Sequence, residues 1–270
     1  MSNNQNQSVW ELEAYRAWLN KYGTPSTFAT KISNNPKKHL GTLLPFLGEI
    51  SGKKILNLMG SNGSKALALS LLGADVTVVD FSEANRQYAL EMCQSLDVNF
   101  KYIVSNVLDI DQKQFGEKYD IVFAEMGILH YFTDLEAFFN IFLESLKIDG
   151  TAIIRDFHPV STKLISSRGS TAKVRKHKVD GDYFDSTLKF QNSALDKYQD
   201  QDQDQEQHHD TLTEEVDSQV LLRHWTLGEI ITAFANVGLC ITSLTEEPNL
   251  SSEVFDKGIP KTFILTGKKL

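Results

Sequence analysis

Three groups of residues in this 270-residue chain have the types and spacing to do chemistry. The first is a polar turn, Met59-Gly60-Ser61-Asn62-Gly63, set between an apolar run and a helical pattern. Glycine in such a turn permits positive φ and lets a ligand touch backbone. A helix N-terminus just after it offers free N–H groups to an anionic group. The second is Asp80, which closes the β-branched run DVTVVD. A carboxylate at that strand end can accept both hydroxyls of a ribose. The third is a set of ionisable residues after two later strands: His130 and Tyr131 behind YDIVFAEMGIL, and Arg155, Asp156 and His158 in RDFHP. A histidine is the side chain most easily tuned to accept a proton near neutral pH. Asp156 and His158 can pair to orient a base, or can cap the loop. The candidate catalytic residues are therefore His130, His158 and Asp156.

The elements that must position these groups alternate. Strands are expected at Lys54–Leu58, Asp75–Val79, Phe100–Val104, Tyr119–Ala124 and Thr151–Phe157. Helices are expected at Ser64–Leu72, Glu83–Leu96 and Asp134–Leu146, with Lys147–Gly150 as a turn. Repeated β-α units imply a doubly wound parallel sheet with helices on both faces. Upstream, Trp10–Tyr22 has a helical stripe stopped by Gly23-Thr24-Pro25, and His39–Ile50 is a second helical segment interrupted by Pro45. Downstream, Thr226 and Glu229 form a capping-box pattern for a helix over Leu227–Asn236. The strands Cys240–Leu244 and Lys261–Thr266 are joined by a connection too short for a crossover, so they pair antiparallel. The expected organisation is a helical lid over 1–51, an α/β core over 52–159, an insertion over 160–223 that caps the substrate, and completion of the core over 224–270. The tract YQDQDQDQEQHHD cannot bury a core, and its centre, about 196–210, is expected to be mobile.

Bulk properties remove several function classes. Net charge is −8, which argues against a nucleic-acid partner. The two cysteines, Cys93 and Cys240, form no CxxC pair, so neither a disulfide scaffold nor a zinc site is expected. His208 and His209 lie in the low-complexity tract and imply no metal site. The N-terminal MSNNQNQS lacks a signal-peptide pattern, and the longest apolar-rich run, Ala66–Ala74, is too short for a membrane span. A cytoplasmic protein without a membrane partner is expected. The basic run Lys173–Lys178, with Arg168 and Lys163, can draw an anionic acceptor or be a solvated loop. The phosphate loop GxxxxGK[ST] is absent, and GxGxxG fails because the chain reads G-S-N-G-S-K.

With these residues in view, the chain resembles the class I S-adenosylmethionine-dependent methyltransferases. The family's first motif aligns with Ile55–Gly63: Asn57 stands where an acid is usual, Met59 and Ser61 replace glycines, Gly63 is retained, and Gly60 is added before Asn62. VTVVDFS aligns Asp80, followed by Phe81, with the ribose-binding acid. VSNVLDI puts Asn106 where an acid often faces the adenine amino group, with Val107 and Leu108 beside it. YDIVFAEMGILHYF resembles the fourth motif, with Glu125 and Met126 lining the methionine end. LKIDGTAIIRDF, HWTLGEIITAFANVGL and KTFILTGKK resemble the fifth strand, closing helix and final hairpin.

The resemblance implies a Rossmann-like seven-stranded α/β sheet with an antiparallel last strand. It also implies S-adenosyl-L-methionine as cofactor and SN2 methyl transfer. The missing [DN]PP[YF] signature and the acidic charge favour a small-molecule acceptor, handled by a monomer or homodimer. A non-catalytic binder of the cofactor and a nicotinamide-dependent oxidoreductase are the alternatives.

Overall fold

In a computed structural model, the structure describes residues 14–168, 177–179, 181–192, 219–248 and 258–270. The centre of the low-complexity tract and most of the basic run lie outside these residues.

The sheet has seven strands: β1 (Lys54–Leu58), β2 (Asp75–Asp80), β3 (Lys101–Val104), β4 (Tyr119–Glu125), β5 (Leu146–Phe157), β10 (Cys240–Pro248) and β11 (Pro260–Lys268). Their order is β10-β11-β5-β4-β1-β2-β3. β1 to β5 run parallel, whereas β11 is antiparallel to both β5 and β10. The chain steps outward from β1 through β2 to β3, then returns to β4 on the other side of β1. The loops after β1 and β4 therefore diverge and leave a crevice at the carboxyl ends of the strands.

The alternation within each strand sorts side chains to two faces. Ile55, Val78, Phe123, Ile153 and Ile264 face one layer, with α5 (Ser64–Leu71) and α6 (Glu83–Leu96). Leu56, Leu58, Val79, Val122, Ile154 and Leu265 face the other, with α8 (Leu135–Ser145) and α9 (Leu227–Asn236). The N-terminal helices, α1 (14–22), α2 (Pro25–Ser33), α3 (Pro36–Leu40) and α4 (Leu44–Leu47), are seated in the first layer: Ala14, Trp18, Phe28, Ile32, Leu40 and Leu47 join the core of α5 and α6. A short helix, α7 (Gln112–Phe115), lies near α8.

Between β5 and α9 lie a π-helical turn (Val160–Leu164) and two hairpins, β6 (Ile165–Arg168) with β7 (His177–Val179), and β8 (Leu188–Asn192) with β9 (Gln219–Arg223). β5 begins at Leu146 rather than Thr151. The expected turn at 147–150 is a bulge within that strand, where Asp149 has φ 63° and Tyr119 and Ile121 pair with Leu146 and Thr151.

The capping box on α9 is complete: Glu229 N–H donates to Thr226 Oγ1 at 3.1 Å, and Thr226 N–H donates to Glu229 Oε2 at 2.8 Å. Thr226→Ala removes one half of it. The expected loss is about 1 kcal/mol of stability, read as a lower denaturant midpoint with an unchanged slope. An unchanged midpoint would show that the cap adds nothing.

Candidate functional site

The first wall of the crevice is the loop after β1. Three of its residues adopt left-handed φ: Met59 at 49°, Ser61 at 50° and Gly63 at 71°. Gly60 is constrained by space instead, since a Cβ there would meet Asn57 Oδ1 and Val78 Cγ1, both at 2.7 Å. The loop is held by Asp80 at the end of β2, which is 5% exposed. Its Oδ2 accepts Ser61 N–H at 2.9 Å, and its Oδ1 accepts Ser82 N–H and Asn85 Nδ2–H, each at 3.1 Å. Tyr102 Oη donates to Ser61 O at 2.6 Å from β3. Asn62 Oδ1 accepts Ser64 N–H at the start of α5. Under the loop, Asn57 is 2% exposed and its Oδ1 finds no hydrogen-bond partner among the described residues. Such a buried acceptor is costly unless a ligand or water meets it.

Beside this loop, Asn106 Oδ1 accepts Leu108 N–H at 3.1 Å and caps a one-turn 3-10 helix, Val107–Asp109. Across the crevice, Glu125 ends β4. It lies 3.5 Å from Lys65 Nζ and 3.8 Å from the Arg155 guanidinium. Burial pushes its carboxyl above the usual range, against the pull of those two cations. Lys65 Nζ also donates to His39 O at 2.6 Å, and Arg155 Nε donates to Glu247 at 2.9 Å. Lys65 was not among the residues singled out from sequence, although it is the single charge in the helix SKALALSL.

The second wall is the turn after β4. Met126 and Gly127 have φ of 66° and 79°. This turn is wound around Asp156, 3% exposed, whose carboxylate accepts N–H groups from Gly127 (2.7 Å), Ile128 (3.0 Å), Leu129 (2.8 Å) and its own neighbour Phe157 (2.7 Å). Of the two readings of Asp156 and His158, the pair is not formed and Asp156 caps the turn. His158 Nδ1 accepts Val160 N–H at 3.1 Å, and its Nε2 stands 2.7 Å from Glu246 Oε1 on β10. Asp156 is saturated by the turn, and His158 ties β5 to the edge strand.

His130 remains at the crevice. Its ring and that of Phe157 both border Gly127, and His224 lies 6.3 Å away between ring centroids. A cleft beyond β4 and β5 is lined by Leu129, His130, Phe157, Thr162, His224 and Trp225. Trp225 Nε1–H donates to Leu129 O and Phe132 O, which fixes the segment carrying His130. Burial lowers the pKa of His130, with Asp156 pulling it back up. Burial, then repulsion from His130 whenever it is protonated and from Lys163, lowers His224 to about 4. Both imidazoles are thus held neutral. Among the described residues no helix is long and apolar enough to cross a membrane.

A family model described as a methyltransferase domain matches residues 50–215. Solved structures share the fold. A Listeria monocytogenes protein assigned to the S-adenosylmethionine dependent methyltransferases has a TM-score of 0.63 at 19% identity, over 88% of this chain and 99% of its own. An S-adenosylmethionine dependent methyltransferase from Mesorhizobium loti has a TM-score of 0.61 at 17% identity, over 84% and 97%. Magnesium protoporphyrin IX methyltransferase from Synechocystis, with S-adenosylmethionine bound, has a TM-score of 0.59 at 12% identity, over 100% and 98%. No curated protein matches the chain in sequence.

Two outcomes follow from this geometry. Left-handed φ costs a non-glycine residue about 1–2 kcal/mol, and glycine's extra chain entropy returns about 0.5–1 kcal/mol of that. Ser61→Gly should therefore be stabilising by up to about 1 kcal/mol in denaturant unfolding; a destabilised variant would show that the strain is absent. The second concerns pH. His39, by burial and the charges of Lys65 and Lys31, and His224 both titrate near 4 in the fold against an ordinary 6.5. Between those values the unfolded chain binds more protons, so stability is full above about 6.5 and falls as the pH drops toward 4. His224→Asn should flatten that fall in pH-dependent denaturation, and an unaltered slope would rule out His224 as a contributor.

Proposed function

The chain belongs to the methyltransferase-domain family whose model spans residues 50–215, and from that membership we propose that it methylates a small-molecule acceptor from S-adenosylmethionine. The observation that carries the cofactor half of this reading is the crevice at the switch point. There, Ser61 N–H is bound to Asp80 beside a buried Asn57 Oδ1 that has no partner among the described residues.

The donor set fits an amino-acid nucleoside. Asp80 Oδ2 would take the ribose hydroxyls, with Phe81 next to it. The Val107–Leu108 turn, locked by Asn106, would border the adenine. Asn57 Oδ1 and Glu125 would meet the methionyl ammonium. Lys65 and the backbone of Gly60, Ser61, Asn62 and Gly63 would meet its carboxylate, while Met59 and Met126 would flank it. When bound, the cofactor supplies a methyl group on a sulfonium, which makes alignment the protein's principal task.

His130 would take a proton at an imidazole nitrogen if the acceptor carries one. Its neutral state and its place on the cleft support that role. Asp156 would act on the reaction only by folding the turn that carries His130. The cleft's lining of Leu129, Phe157, Trp225, two neutral imidazoles and the Arg223 guanidinium supports a compact acceptor with apolar and hydrogen-bonding parts. The Synechocystis structure is named for a small-molecule acceptor as well.

The flanking segments enter this reading through contacts with the crevice. His39 O and Leu40 O from the N-terminal segment receive Lys65. Buried Lys163 donates to Asp185 O and His224 O, which clips the insertion onto the cleft. Segments 1–51 and 160–223 would thus shape the acceptor pocket over a core of 52–159 and 224–270.

Calorimetric titration with S-adenosylmethionine tests the reading. Wild-type protein should bind, and Asp80→Ala, shown by circular dichroism to be folded, should bind at least roughly tenfold more weakly, since hydrogen bonds to a charged group contribute roughly 1.5–3 kcal/mol each. No heat from wild type at millimolar cofactor would remove the reading. Unchanged affinity in Asp80→Ala would remove the assignment of Asp80.

A further inference from the structure

A buried polar chain runs from the N-terminal helix to the acid at the end of β2. Trp18 on α1 is 7% exposed, and its Nε1–H donates to Asn85 Oδ1 at 2.7 Å. Asn85 on α6 is 1% exposed, and its Nδ2–H donates to Asp80 Oδ1 at 3.1 Å. Asp80 Oδ2 then accepts Ser61 N–H at 2.9 Å. Asn85 sits on the inward stripe of α6 with Tyr88, Ala89 and Met92, where an apolar side chain would pack without needing a partner.

The direction of this chain is fixed by chemistry. An amide can present either end to a neighbour, and the two ends look alike in shape. An indole N–H is donor-only, so Asn85 must turn its oxygen toward Trp18. That leaves the NH₂ end facing Asp80, where it satisfies a carboxylate that can only accept. Without the indole, one of the two contacts that set this orientation is lost, and the buried amide oxygen is left without its donor. If it flips, its oxygen faces the Asp80 carboxylate at hydrogen-bond distance, and the two acceptors repel.

The docking of α1 serves the same contact. Tyr15 Oη donates to Glu91 at 2.6 Å, and Tyr88 Oη donates to Gly23 O at 2.8 Å, so α1 and the turn after it are tied along α6 on both sides of Trp18. Tyr22 stacks on Phe28 at 4.1 Å between ring centroids and closes the far side.

We propose that Trp18 and Asn85 are positioning residues for cofactor binding: the indole sets the Asn85 amide, the amide aims the Asp80 carboxylate, and the carboxylate holds the Ser61 backbone in the binding loop. This inference rests on the reading of Asp80 as the ribose-binding acid. It makes α1 part of the cofactor site although none of its side chains lies in the loop.

Two substitutions separate positioning from packing. Trp18→Phe keeps an aromatic ring and removes only the donor. Asn85→Asp keeps the shape and the acceptor for Trp18, but sets a second carboxyl against Asp80. Two carboxyls that close share a proton at low pH and repel when both ionise. The shared proton mimics the amide N–H, so Asn85→Asp should bind well in acid and poorly in base. The ionisable neighbours along α1, α6 and β3 are Tyr15, Lys21, whose Nζ lies 5.6 Å over the Trp18 ring, Tyr22, Glu91, Tyr88 and Tyr102. Tyr15, by its bond to Glu91, and Tyr88, by burial, are raised to about 12 and stay neutral through the test.

The experiment uses the full chain and S-adenosylhomocysteine as the probe. Calorimetry between about pH 5 and pH 8 reads affinity, and the Trp18 indole N–H resonance, assigned by its loss in Trp18→Phe, reads the chain without ligand. The expected results are three. Trp18→Phe binds roughly tenfold more weakly, the upper end of what one neutral hydrogen bond contributes. Asn85→Asp loses affinity as the pH rises, while wild type does not. In ligand-free Asn85→Asp the Trp18 resonance moves with the same pH dependence.

A resonance that ignores pH in Asn85→Asp overturns the proposal, as does an affinity unchanged in both variants or a loss in Asn85→Asp that is the same at every pH. If wild type binds no probe, the cofactor reading falls and the role of these residues in cofactor binding falls with it. A titrating resonance in that case still separates a sound relay from a wrong ligand.

Discussion

A buried N–H group needs an acceptor, and this requirement organises the crevice. Where the strand order reverses between the parallel β1 and β4, two loops leave in opposite directions with backbone amides that no strand can satisfy. Each is met by a carboxylate from the next strand outward. Asp80 at the end of β2 receives the loop after β1, and Asp156 at the end of β5 receives the turn after β4. Both acids are buried, both accept at least one N–H on each oxygen, and they stand on opposite sides of the switch point. Hydrogen bonding to the charged form is what lets a carboxylate stay buried there. The same device thus builds both walls, with one difference. Asp156 is enclosed by four backbone donors. Asp80 Oδ2 faces the loop, where it accepts a single backbone N–H from Ser61.

The walls are wound tightly enough that side-chain sterics are overruled. Met59, Ser61 and Met126 hold left-handed φ, a conformation that suits glycine. Strain of this kind persists when surrounding bonds over-determine the backbone. Ser61 is fixed from both sides, by its N–H on Asp80 and its carbonyl under Tyr102. The loop therefore reaches the geometry of a glycine-rich turn with fewer glycines, because hydrogen bonds and packing supply what residue choice does not.

This explains how much could be read from the sequence. The order of strands and helices, the antiparallel closing pair and the capping box of α9 rest on local patterns, and local patterns survive in a linear string. Asp80 was legible because it ends a β-branched run one unit after a glycine turn. In RDFHP alone Asp156 reads equally as a partner for His158 or as a loop cap, and the sequence did not decide between them, since the turn it holds lies some thirty residues earlier. Trp18 and Asn85 are separated by 67 residues and meet only in the fold. The one local hint was a polar residue on the apolar stripe of α6. Lys65 and Glu125 were likewise invisible as a pair, since an ion pair between helix and strand end has no spacing rule.

The charge pattern across the crevice constrains what it can hold. Lys65, Glu125, Arg155 and Glu247 alternate in sign from the binding loop toward β10, and all four are half-buried. Their formal charges cancel. Adding a singly charged group would leave an uncompensated charge in a poorly solvated space, which is costly. A zwitterion adds one charge of each sign and leaves the sum unchanged. Its ammonium can approach Glu125, whose two cations are too distant for short hydrogen bonds, and its carboxylate can approach Lys65. The amino-acid end of such a nucleoside would add one charge of each sign there, with a sulfonium as one further positive charge, whereas a nucleoside carrying a pyrophosphate would bring two or more negative charges against Glu125. A quartet whose charges already cancel disfavours the ligand that brings more uncompensated charge.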